Sequence, residues 1–180
     1  MTNSLFRPNS CFSTTELEFN YGEIESEIFY SEFESENFYS EFDLRKSGNA
    51  KAISNNFKGA IEDYRKALEF NRHNADIYFH LGIFKIELYD YYGAIEELTK
   101  VINIDHTHLW GYLHRGIAKM GLTDYDGAHQ DFCQAINLDM YFPEAYYARG
   151  KLNIERGNFL VGNRDLLKAY DLGLPYHIGS

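Results

Sequence analysis

One interval governs this chain of 180 residues: like residues return every 34 positions, four times over, with no insertion between the copies. Gly48, Gly82, Gly116 and Gly150 form one column, and Ala60, Ala94, Ala128 and Gly162 form a second. Phe57, Tyr91, Tyr125 and Phe159 make a third, and Leu44, Tyr78, Tyr112 and Tyr146 a fourth. A period of this length sets one supersecondary unit per copy. Each unit is too small to bury its own apolar face, so the copies must stack into a continuous core.

Within a copy the pattern is helical. Tyr112 to Met120 and Tyr125 to Leu138 carry apolar residues three and four apart, as amphipathic helices do. Leu122-Thr123-Asp124 separates them, with Asp124 placed to cap the second helix and Gly121 to end the first. Small residues at Gly116 and Ala128 let the two helices approach, while Tyr125 and Phe132 fill the space beside them. In the first copy Ala60, Tyr64, Ala67 and Phe70 fall on one face of the second helix, and in the last copy Pro143 suits a helix start. The expected object is a stack of four hairpins with a concave and a convex side.

These columns resemble the tetratricopeptide repeat (TPR) family from about residue 41 to 174. The resemblance implies an all-α fold, a right-handed α-solenoid of four helix-turn-helix hairpins at 41–74, 75–108, 109–142 and 143–174. The first copy departs most, with Leu44 in place of a large aromatic and a polar turn at 52–56. Lys51, Lys85 and Lys119 stand where the family usually has an aromatic residue. A long aliphatic stem carrying a solvated amine is expected to fill that edge. Arg115 with Asp131 and Arg149 with Asp165 replace an apolar and aromatic pair sixteen places apart. They are expected as part-exposed ion pairs within one hairpin, each contributing at most about 1 kcal/mol. Gly162 and Asn163 fit a terminal unit that need not receive a neighbour. The eight residues 173–180, with a proline among them, are too few for a covering helix, which leaves that edge open to self-association or a partner.

Charge divides the chain. Residues 1–43 hold ten acids and one base, whereas residues 44–180 hold seventeen acids and sixteen bases. No basic stripe for phosphates crosses the stack and the tail would repel them, so nucleic acid is not an expected partner. Within the tail, SEIFYSEFE at 26–34 is nearly repeated as SENFYSEFD at 35–43. Glutamate repulsion opposes collapse, so residues 1–40 are expected as a low-complexity acidic and aromatic tail. It is read as largely disordered, or docked in short helical turns through its aromatics. The apolar runs are too short to span a membrane. Residues 1–15 lack the basic start and apolar stretch of a secretory signal, so the expected compartment is the cytoplasm. Cys11 and Cys133 are expected as two unlinked thiols.

No chemistry is expected. The chain has no Walker-type phosphate loop, no HExxH, no CxxC and no nucleophile motif, and the reading is a non-enzyme without a cofactor or metal. His80 and His114 occupy one column and should lie one above the other, but two imidazoles lacking a third ligand make a poor metal site. His106-Thr107-His108 is expected to be a solvated loop between repeats.

Function is therefore expected from surface. The resemblance implies a peptide or partner segment held in the concave groove lined by the first helices. That lining comprises Phe42, Arg45, Asn49, Asp76, Phe79, His80, Ile83, Trp110, Leu113, His114, Ile117, Glu144, Tyr147 and Lys151. An aromatic floor of Phe79, Trp110 and Tyr147 suits an apolar or aromatic peptide. One alternative is self-regulation, with the acidic aromatic tail in the groove, Phe29 or Phe38 near Trp110, and glutamates near Arg45, Lys46 or Lys151. A lesser one is the carboxylate clamp by which part of the family holds the acidic C-terminal tails of chaperones. Arg45 and Asn49 resemble its first element, but His80, Trp110 and His114 depart from the asparagine, lysine and arginine it uses.

Overall fold

A computed structural model describes residues 39–175. The expectations for the tail at 1–38 and for Cys11, Phe29 and Phe38, like those for 176–180, lie outside the described residues. Eight helices account for nearly all of the described chain: α1 (Glu41–Ile53), α2 (Phe57–Phe70), α3 (Ala75–Glu87), α4 (Tyr91–Ile104), α5 (Leu109–Gly121), α6 (Tyr125–Leu138), α7 (Pro143–Glu155) and α8 (Phe159–Asp171). None is long and apolar enough to cross a membrane.

The caps and turns repeat with the sequence. Asn56, Asp90 and Asp124 each accept the N–H of a glycine three residues on, satisfying an otherwise unpaired donor at the start of α2, α4 and α6. Between the helices of each hairpin one residue takes a left-handed conformation: Asn55, Tyr89 and Thr123 at φ 59°, 60° and 61°, and Gly157 at 80°. α5 ends at Gly121 as expected, but the glycine is not the left-handed residue of the turn. Thr123 makes the left-handed turn, and Gly121 is small because a Cβ there would come within 2.5 Å of the Tyr91 ring.

Packing follows the columns. A Cβ added at Gly116 would lie 2.5 Å from the Phe132 ring, and one at Gly82 would lie 2.6 Å from Leu98, so the paired helices cross at the glycines. In the last hairpin Gly150 and Gly162 face each other, and a Cβ on Gly162 would stand 2.7 Å from the Gly150 carbonyl oxygen. Gly162 is thus buried by close approach within its own hairpin. Ala60, Tyr64 and Ala67 are buried as expected, but Phe70 at the end of α2 is exposed.

Each hairpin packs on the next through its second helix, α2 on α3, α4 on α5 and α6 on α7. In addition α3 touches α5, and α5 touches α7, whereas the second helices make no comparable contact with one another. First helices crowd together and second helices spread apart, so the stack curves with the first helices on its inner side. The result is a right-handed all-α solenoid. On α8, Phe159, Leu160, Val161 and Leu167 are exposed.

Candidate functional site

The inner side carries a chain of rings. Phe79 on α3 lies 5.9 Å from His80, 5.0 Å from His108 and 5.3 Å from His114, measured between ring centroids. Trp110 continues the line, 5.9 Å from His114 and edge-on to Phe142 at 4.9 Å. Both column histidines pack against Phe79. Among the described residues no three His, Cys, Asp or Glu side chains gather to hold a metal. His80 Nδ1 donates to the Asp76 carbonyl at 2.7 Å, and His114 Nδ1 to the Trp110 carbonyl at 2.9 Å. Burial pushes the His114 imidazole below its usual range, against the opposing hydrogen bond to Trp110, and nearby His108 adds to the lowering. His114 is therefore an uncharged aromatic wall at neutral pH. His108, expected in solvent, instead caps α5 by accepting the Gly111 N–H at 2.9 Å.

Trp110 and Tyr147 remain 43% and 38% exposed although each packs on its neighbours. Beside Tyr147, an apolar hollow of about 240 Å³ opens between α5 and α7, lined by Ile117, Met120, Tyr147, Ala148 and Lys151. Ala148 shares a column with His80 and His114, and its missing imidazole leaves room there. That substitution was the available signal for the hollow, and neither Ala148 nor Met120 was singled out. The Lys151 ammonium stands 5.9 Å from the Tyr147 ring centroid at the rim.

Other expected lining residues are committed elsewhere. Leu113 is only 4% exposed and belongs to the core with Phe132 and Ala145, because its helix turns that position toward α7, so it is removed from the groove surface. Arg45 is held between Glu41 at 3.7 Å and Asp76 at 3.9 Å. The Asn49 side chain accepts the Tyr64 hydroxyl, and Ile83 packs partly buried against the core around Tyr64, Leu81 and Phe84. Phe42 is largely exposed at the opposite end of the inner side.

Beneath this surface runs a periodic polar layer. Asp63, Glu97, Asp131 and Asp165 are buried one period apart. Lys51, Lys85 and Lys119 reach the first three at 2.6, 2.7 and 2.8 Å, so these amines are paired rather than solvated as expected from the edge-filling role. Arg115 and Arg149 grip Asp131 and Asp165 with two parallel hydrogen bonds each, and the carboxylates are buried, not part-exposed. Each arginine also reaches back to the preceding hairpin, Arg115 to Thr99 Oγ1 and Arg149 to Cys133 Sγ, both at 3.3 Å. The pairs join helices and hairpins, which rigidifies the wall that displays the rings.

A family model described as TPR repeat matches residues 48–84. Comparison with curated proteins returns no match. Among solved structures, MamA matches with a TM-score of 0.70 at 18% identity, over 88% of this chain and 96% of that one. The Arabidopsis OM64 TPR domain matches with a TM-score of 0.62 at 28% identity, over 64% of this chain and 96% of the domain. The first TPR of Spaghetti (RPAP3), solved with the HSP90 peptide SRMEEVD, matches with a TM-score of 0.62 at 18% identity, over 66% and 94%.

Proposed function

The chain belongs to the tetratricopeptide-repeat family as a stack of four repeats, and from that premise we propose that it is a non-enzymatic scaffold holding a peptide or partner segment in its inner groove. The observation that carries this is the pair of large rings, Trp110 and Tyr147, left exposed on the inner side, Tyr147 at the edge of an apolar hollow. Rings that the core does not need supply a large contact area with few rotatable bonds, which suits recognition. Capture of partners with the unaltered protein and with Trp110→Ala together with Tyr147→Ala tests the reading. Loss of the same partners at unchanged melting temperature is expected. Retention would move the site to residues 1–38 or to the exposed face of α8.

The Spaghetti complex is the support for a chaperone-tail reading, and the residues of this chain weigh against it. A terminal carboxylate needs fixed cations around it. Here Trp110 offers no charge, His114 is uncharged at neutral pH, and Arg45 already faces two carboxylates. Deleting residues 1–38 addresses the self-regulated alternative, which requires tighter partner binding and altered Trp110 fluorescence.

A further inference from the structure

We infer that the hollow between α5 and α7 is the anchor point of the groove, taking one bulky apolar side chain of a linear peptide whose neighbouring carboxylate meets Lys151. This rests on the groove reading above and specifies the chemistry of its occupant. Size is the first argument. An apolar cavity of about 150 Å³ admits benzene, so about 240 Å³ has room for one phenyl ring or branched aliphatic side chain. Lining is the second. Ile117, Met120, Ala148 and the Tyr147 ring present no carboxylate and no buried amide, so a polar side chain placed there would lose its water without gaining a partner. Met120 is unbranched and adaptable, which lets one hollow accept several apolar shapes.

Charge gives the peptide its second feature. Lys151 is exposed at the rim with its ammonium over Tyr147, and among the described residues no carboxylate pairs with it. The deeper lysines are spent on buried acids, and Arg45 is held by Glu41 and Asp76. Lys151 is therefore the cation beside the hollow that can be completed from outside. An acidic residue one or two places from the anchor would reach it, whereas a basic one would be repelled.

A displayed library of random nine-residue peptides, selected on the full chain, tests this. Selected sequences should pair a large aliphatic or aromatic residue with Asp or Glu within two positions. Lys151→Glu should weaken them about tenfold, a change of about 1.4 kcal/mol, and a repeated selection should turn toward Lys and Arg. Ala148→Leu, which fills the hollow without removing a contact, should abolish binding while the melting temperature holds. Peptides that depend on Trp110 but ignore Lys151 and Ala148 would overturn the anchor and leave the groove standing. Peptides indifferent to all three positions would overturn both.

Discussion

Arg115 and Asp131 face each other across one hairpin with two parallel hydrogen bonds, Nε to Oδ2 at 2.9 Å and Nη2 to Oδ1 at 2.7 Å. Lys119 adds a second cation 2.8 Å from the same carboxylate. Asp131 thus sits buried between α5 and α6 with both oxygens answered, and it ties the inner wall of the groove to the outer helix behind it.

Breaking that contact from one side should be costly. Arg115→Ala leaves a buried carboxylate with one cation, and Asp131→Ala leaves two cations facing no charge; each should destabilise by about 3 kcal/mol. Replacing both together should cost clearly less than the sum. Urea unfolding of the two single variants and the double variant measures the coupling. Strict additivity would mean that the side chains act independently despite their geometry.

Acid should loosen the stack in two stages. Burial pushes the His114 imidazole down, so the folded protein binds its proton less readily than the unfolded chain does. Stability from this group is complete above about pH 6.5 and is lost as pH falls through its lower folded value. Glu97 follows the same sign. Burial alone would raise its carboxyl, yet hydrogen bonds and charges from Lys100 and Lys85 hold it below the usual range. Asp63 is held down likewise by Lys51 and Ser47. These contributions are whole above about pH 4 and disappear below it. Urea midpoints between pH 7.5 and 3.5 should fall gently at first and then steeply. His114→Gln should remove the gentle stage alone, and an unchanged profile in that variant would sink the assignment.

The period made the fold legible, because a column of glycines sixteen residues before a column of bulky residues has one geometric solution, two helices crossing at the glycine. The exposure of Trp110 and Tyr147 was legible for the same reason, since both occupy first-helix positions that the core does not use. Three things were not. Leu113 shares a column with Phe79 and Tyr147, and whether such a position faces the hollow or the next helix depends on a few degrees of local rotation. His108 reads as a loop residue until its ring is seen capping α5. The pairing of the lysines is hidden because each stands where the family has an aromatic, a position that by itself suggests an edge-filling stem with a solvated amine. Their carboxylate partners lie twelve residues on, in the other helix of the hairpin, and that pairing only emerges when the two columns are compared with each other.

The last hairpin carries a defect in this column of paired lysines. Where the first three copies place Lys51, Lys85 and Lys119, the fourth has Asn153, which is buried and whose side-chain amide nitrogen has no hydrogen-bond partner among the described residues. An unanswered buried donor costs about 1–3 kcal/mol. Among the described residues Asp165 nearby is gripped by Arg149 without a lysine, while Asp131 in the preceding hairpin accepts both Arg115 and Lys119. Asn153→Lys should therefore rebuild the arrangement of the third hairpin, remove the orphaned amide and raise the melting temperature by several degrees. Asn153→Leu should remove the orphaned amide without adding a cation, and so stabilise less. If the lysine variant melts lower than the parent while the leucine variant melts higher, the crossing at Gly150 and Gly162 holds α7 and α8 too close for the longer stem, and the ion-pair column stops at the third hairpin for want of space.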